Sequence, residues 1–298
     1  MKKTIQFIIL TCTVSWVIAG TVILLGIRNT SSIKYTIFAA LYMFLPAICS
    51  IILQVIHKEK PFRNLGISFR FNRWFIIAGI APIVYSFAVL RINMLFPNTS
   101  FSATYEGLLS KLPPEQMELA EKQLSQFPPV FFLLIQVFGA IIAGYTINAL
   151  AGFGEELGWR GYLLKSLSHK NFMTVSLIIG IVWGLWHFPL ILIGHNYPQH
   201  PVIGVGMMVI FCILLTPMMI YIVMKSKSVI TAAIFHGMNN AIAGISILYI
   251  VGGNDITNGI TGIAGFITLI LFNLGFFIFD KYITKENIFT NVIGEYWI

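Results

Sequence analysis

Two carboxylates and a guanidinium, Glu155, Glu156 and Arg160, fall within six residues of a chain that is otherwise largely apolar. Ionisable groups in or beside membrane helices cost about 2.5–3.5 kcal/mol each at the helix centre on insertion scales, so they are rare and usually functional. On a helix, Glu156 and Arg160 stand four apart on one face and can pair, acid first, which is the favoured order. Glu155 is turned about 100° away and has no partner in its own segment. One carboxylate is braced and the other is free to act.

Six histidines could work with it. His57 and His169 fall in connectors, and His195 and His200 in the loop Gly194–His200, where a surface histidine needs no special role. His187, in Trp183-Gly184-Leu185-Trp186-His187, and His236, in Phe235-His236-Gly237-Met238-Asn239-Asn240, lie inside apolar runs. Trp183 and His187 share one helical face, as do His236 and Asn240. A carboxylate hydrogen-bonded with a histidine can deprotonate water. A histidine and an amide on a facing helix can donate to the oxyanion of a tetrahedral intermediate. The chemistry these types allow is hydrolysis. The same groups could also ligate zinc, through Glu155, His187 and His236. The chain has no His-Glu-x-x-His, the motif that places two histidines and a base together, so metal-free hydrolysis is the preferred reading.

The elements that must carry these residues are membrane spans. The chain has 298 residues, 57% hydrophobic and 10% charged, with mean hydropathy +0.84. A soluble domain carries about 25% charged residues, so an all-α polytopic integral membrane protein is expected. Apolar runs of about 20 residues cover 5–27, 35–56, 74–96, 130–150, 172–194, 202–224, 229–250 and 261–280, eight spans in one membrane domain over 1–298. With the N-terminus inside, fourteen basic residues (Arg160 among them) fall on the cytoplasmic side. Arg28, Lys34, Lys111 and Lys122 make four on the other. That asymmetry puts both termini in the cytoplasm. It also explains the net charge of +8 without nucleic acid as a partner. The first run is too long for a signal peptide and Val17–Gly20 is a poor cleavage site, so it is read as a retained span. Cys12, Cys49 and Cys212 lie in apolar runs with no ligand spacing and give no disulfide framework. On depth alone His236 stands about 10 Å and His187 about 22 Å from the cytoplasmic side. Glu155 falls just past the end of the fourth run. Tilt or a longer fourth helix must bring the three together.

The segment 57–73 is a basic connector, read as a topology signal. The segment 97–129 is an external insertion with a short helix from Glu115 to Leu124. Arg91, inside the third run, is the residue a transporter would use, but it can equally snorkel to the outer interface. No internal repeat supports an inverted-repeat transporter.

The three fragments resemble the motif set of the CPBP family, the CAAX-processing and bacteriocin-processing membrane proteases also called Abi, type II CAAX prenyl endopeptidases among them. Glu155-Glu156-x-x-x-Arg160 and His236-x-x-x-Asn240 match in full. Trp183 stands where phenylalanine is usual, four before His187, a change expected to alter pocket shape more than chemistry. The resemblance centres on about 130–250. It implies an intramembrane glutamic endopeptidase with Glu155 as general base and His187 positioning the water. His236 and Asn240 would form the oxyanion hole, with Glu156, Arg160 and Trp183 in support and no cofactor. The zinc-dependent reading and a non-catalytic bacteriocin-immunity protein are the alternatives. Implied partners are the bilayer and a membrane-associated peptide or lipidated protein, in a bacterial cytoplasmic membrane, with a cavity opening to the cytoplasmic side and reached laterally from lipid.

Overall fold

The computed structural model describes residues 2–104, 106–110, 112, 114–126 and 128–295. Lys111, Pro113 and Tyr105 therefore lie outside the described residues. The long apolar runs fold as helices because an unpaired backbone N–H or C=O in lipid costs several kcal/mol. In chain order these are α1 (Lys2–Leu24), α2 (Ile33–Tyr42), α3 (Leu45–Ile56) and α4 (Arg73–Asn93). The external insertion carries β1 (Thr99–Phe101), α5 (Glu106–Leu109) and α6 (Pro114–Leu124). The core follows with α7 (Pro129–Tyr145), α8 (Ile147–Glu156), α9 (Leu164–Ser166), α10 (Phe172–Trp186), α11 (Phe188–Leu192), α12 (Pro201–Ser226) and α13 (Val229–Ile242). Then come α14 (Ile245–Leu248), β2 (Ile250–Gly252) and α15 (Ile263–Ile278).

The all-α membrane fold is as expected, but the tally of eight full spans is not. Among the described residues six helices are long and apolar enough to cross a bilayer, or seven if α7 is taken with the end of α6. α10 is a shorter apolar helix of 15 residues. Pro189 ends it, because a residue without an N–H cannot extend the ladder. The second run is likewise broken, between Tyr42 and Leu45, with Pro46 at the start of α3. The fourth run is the longer helix that the depth argument required. It bends at Thr146, continues through α8, passes through a π-helical stretch, Leu157–Leu163, and ends in α9. Widened turns of this kind are frequent at functional sites.

Close approach to the bent fourth run depends on missing side chains. A Cβ on Gly237 of α13 would stand 2.7 Å from Ala149 Cα, and one on Gly158 would stand 2.5 Å from Pro46 Cβ. Small residues are what let membrane helices pack backbone to backbone. Gly237→Val is expected to cost at least about 1–3 kcal/mol through overpacking, read as a lower melting temperature in detergent. Unchanged melting would show that α13 and α8 are not held this closely.

The two ends of the bundle differ. At one, Lys3 pairs with Glu59, Thr4 Oγ1 donates to Ser166 Oγ at 3.0 Å, and Ser228 Oγ donates to Ser68 O at 2.6 Å. At that same end Phe172 N donates to Asn291 O at 3.0 Å. Both described termini and the basic connectors therefore share one end. At the other, β1 pairs antiparallel with β2, Thr99 opposite Gly252 and Phe101 opposite Ile250. The external insertion is thus tied to the loop before α15. Arg91 is exposed in the last turn of α4, at the end away from the basic connectors. Arg160, counted above with the basic connectors, is fully buried and belongs to the interior instead.

Candidate active site

The helix break at Pro189 shapes one wall of the site. His187 N turns back to Gly184 O at 3.2 Å, so Trp183 O is released from its usual partner four residues on. His187 Nδ1 takes that carbonyl at 2.8 Å. A carbonyl only accepts, so Nδ1 carries the proton and Nε2 keeps a lone pair in the neutral ring. Trp186 O is released in the same way. It accepts from Tyr42 OH at 3.1 Å and from Trp16 Nε1 at 3.3 Å, which fastens the break to α2 and α1.

Glu155 and Glu156 project from the last turn of α8 and are buried. Glu155 Oε2 accepts from Trp183 Nε1 at 2.7 Å and from Trp159 Nε1 at 3.4 Å. Its Oε1 stands 3.9 Å from His236 Nε2, too far for a direct hydrogen bond. Glu156 meets the other nitrogen of the same imidazole. Arg160 Nη1 lies 3.2 Å from its Oε1 and 3.1 Å from its Oε2, and Oε1 also meets His236 Nδ1 at 2.8 Å. Arg160 Nη2 donates to Thr216 Oγ1 at 3.0 Å, and Thr216 Oγ1 donates on to Cys212 O at 2.6 Å. The guanidinium also lies 4.3 Å from the centre of the Trp183 ring. With His236 protonated, two carboxylates, one imidazolium and one guanidinium sum to zero, which is how charges persist away from water.

Glu155, Trp183, His187, His236 and Asn240 all line one cavity of about 1020 Å³. Glu156 and Arg160 are fully buried behind them. Among the described residues no three His, Cys, Asp or Glu side chains are grouped to hold a metal ion. Glu155, His187 and His236 are thus not arranged as a ligand triad.

Trp183 departs from its expected part. Its indole N–H is a donor to Glu155 that phenylalanine lacks, so the exchange changes hydrogen bonding as well as shape. Sequence reasoning also passed over three residues. Trp159 is four residues from Glu155 and was as readable by spacing as Arg160. Asn239, three from His236, is buried beside Asn240, lines the same cavity, and its Oδ1 meets no donor among the described residues. Thr216, on α12, gave no local signal. His195, set aside as a loop residue, also lines the cavity; burial lowers its imidazole to about 4, so it is neutral at physiological pH.

The cavity does not lead where the sequence suggested. Beyond the site it is lined by the loops 194–200 and 252–261 and by Ser110, all at the end away from the basic connectors. The connector side is packed. There Trp159, Leu163 and Leu164 are fully buried, and Phe7 packs at 5.6 Å on Trp159 and 5.1 Å on Tyr162 between ring centres.

Residues 126–242 match the family model described as Rce1-like, type II CAAX prenyl endopeptidase. The protein called CAAX prenyl protease 2 of Methanococcus maripaludis is 30% identical over 239 residues, covering 77% of this chain and 80% of that relative. This polytopic chain therefore belongs to the Rce1-like family of type II CAAX prenyl endopeptidases and is a membrane-embedded peptidase.

Proposed function

We propose that the chain hydrolyses a peptide bond of a membrane-associated polypeptide with a glutamate-activated water and without a metal. The observation that carries this is the division of labour between neighbouring carboxylates. Glu156 is taken up by Arg160 and His236, while Glu155 has one oxygen pinned by two indole donors and the other facing His236 at 3.9 Å. Glu155 accepts a proton from water as its oxygen attacks the scissile carbonyl, and returns it to the amine that leaves. His187, through Nε2, accepts from that water and aligns it. His236 Nε2–H and the Asn240 amide donate to the oxyanion of the tetrahedral intermediate. This role requires the imidazolium, since Nδ1–H is already committed to Glu156, and the carboxylates on either side balance its charge.

The family resemblance admits two substrate forms, a prenylated CAAX-type tail and a leader or propeptide, in the cytoplasmic membrane of a bacterial cell. The test is cleavage of an internally quenched peptide by the detergent-purified protein, beside Glu155→Gln, with and without a strong chelator. Cleavage that needs Glu155 and survives the chelator supports the reading. Chelator-sensitive cleavage restored by zinc overturns its metal-free part.

Trp183→Phe isolates the indole bond. Hydrogen bonds to charged groups contribute about 1.5–3 kcal/mol, so kcat is expected to fall about tenfold or more with little change in melting temperature. Full activity in the phenylalanine variant would mean that Trp159 alone orients the carboxylate.

A further inference from the structure

We infer that the cavity opens on the extracytoplasmic face of the membrane and receives a polypeptide presented there, an exported or translocated segment and not a cytosolic prenylated C-terminus. The inference rests on the peptidase reading of the site and gives it a side.

The first line of argument is charge. With Arg160 removed to the interior, thirteen lysines and arginines remain at the end that gathers residues 2–3, 57–73, 165–170, 225–227 and 281–285. The other end holds Arg28, Lys34, Arg91 and Lys122 among the described residues, beside the acids Glu106, Glu118, Glu121 and Asp255. Lys and Arg in short loops set membrane orientation and mark the cytoplasmic side. The thirteen-residue end is cytoplasmic.

The second is the direction of the cavity. None of its described lining residues comes from those basic segments. Below Glu155 the aromatic and aliphatic packing around Trp159 and Phe7 closes the cytoplasmic half. Roughly 18 Å of helix separate Glu155 from the connector at Leu167. A cytosolic tail would have to thread that packing, whereas a chain arriving from the other face meets an opening.

The third is that the opening is built. Asp255 Oδ2 accepts from Gln199 N at 2.6 Å and His200 N at 3.2 Å, and Oδ1 meets His200 Nδ1 at 2.6 Å. Gln199 Oε1 accepts in return from Asp255 N at 3.1 Å. Two loops are thereby clasped into one rim. Asn196, Gln199, Asn254 and Asn258 bring amides to it, and no Lys or Arg among the described residues lines the cavity. Amides offer donor and acceptor together, the complement of an extended peptide backbone. Deeper in, Met208, Phe211 and Leu215 supply an apolar surface for side chains near the cleaved bond.

The test uses single cysteines in the full chain, with the wild type as the blank. Ser110→Cys and Gln199→Cys report the rim, and His169→Cys reports the basic end without altering the count of lysines and arginines. In intact cells a membrane-impermeant maleimide is expected to label the two rim cysteines, and to label His169→Cys only after permeabilisation. The reverse pattern overturns the inference. In purified protein, a bulky maleimide on Gln199→Cys is expected to slow cleavage of the quenched peptide at least tenfold, and the same reagent on His169→Cys to leave it unchanged. Undiminished cleavage with the rim cysteine fully modified also overturns it, since substrate would then arrive by another route. The labelling arm needs no turnover. A protein that labels as expected and cleaves nothing under any condition would sink the peptidase reading while leaving the sidedness intact.

Discussion

Glu155→Gln is expected to lower kcat by about 10³-fold while the protein still inserts, purifies as the wild type and melts within a few degrees of it. The substitution keeps the size of the side chain, and its carbonyl oxygen can still accept from Trp183 and Trp159. What it removes is the ability to take a proton at near-neutral pH. Positioned general bases contribute about 10²–10⁴-fold, and at this site no second carboxylate is free to substitute. Glu156 is 0% exposed and already engaged by Arg160 and His236, so it cannot swing into the role without breaking both contacts. The measurement is kcat and KM on the quenched peptide with the melting temperature alongside. A variant retaining a tenth of the activity would transfer the base to another group.

Removing the guanidinium should be felt mainly in stability. Arg160→Met is expected to destabilise the protein by about 3–5 kcal/mol, the usual cost of leaving one member of a buried ion pair uncompensated. Arg160 is 0% exposed and holds Glu156 and Thr216 while lying against Trp183. Activity should fall as well, because Trp183 aligns Glu155 and Glu156 orients His236. The double variant Glu156→Gln, Arg160→Met separates the two effects. With both charges gone the stranded-charge cost disappears, so melting should recover well beyond the sum of the single changes. Cleavage should not recover, because His236 then faces a neutral amide. Loss of activity in Arg160→Met with unchanged melting would refute the bracing role.

Much of the site was legible because its parts are local. Glu156 with Arg160, Trp183 with His187, and His236 with Asn240 are each one helical turn apart, and a turn of helix fixes a face before any tertiary structure is known. Gathering the three fragments was not local. It depended on the fourth run staying helical past residue 150, through the bend at Thr146 and the π-helical turns, which a hydropathy window cannot register because Glu155, Glu156 and Arg160 lower it there. The same window read residues 172–194 as one span. The break at Pro189 splits that run and frees two carbonyls, Trp183 O for His187 and Trp186 O for Tyr42 and Trp16. Trp183 was valued as an aromatic surface, although its N–H does the orienting. The direction of the cavity was misread for a different reason. Depth along a helix says how far a residue lies from either face, but not where the helices part. That depends on packing between distant segments, such as Phe7 against Trp159 at one end and the clasp of Asp255 at the other.

The Glu156–Arg160 pair lies within a single helical segment. During synthesis that segment is made 76 residues before His236, so Glu156 leaves the ribosome with its counter-ion one turn behind. An isolated carboxylate would have to wait in the lipid for a partner on a later helix, at the insertion cost of a bare charge. The local pair lets the fourth segment settle early, and α13 then docks against it, bringing His236 to a carboxylate already in place. Assembly and catalysis thus draw on adjacent residues for opposite ends. Glu156 is satisfied at birth and Glu155 is left wanting until the bundle closes.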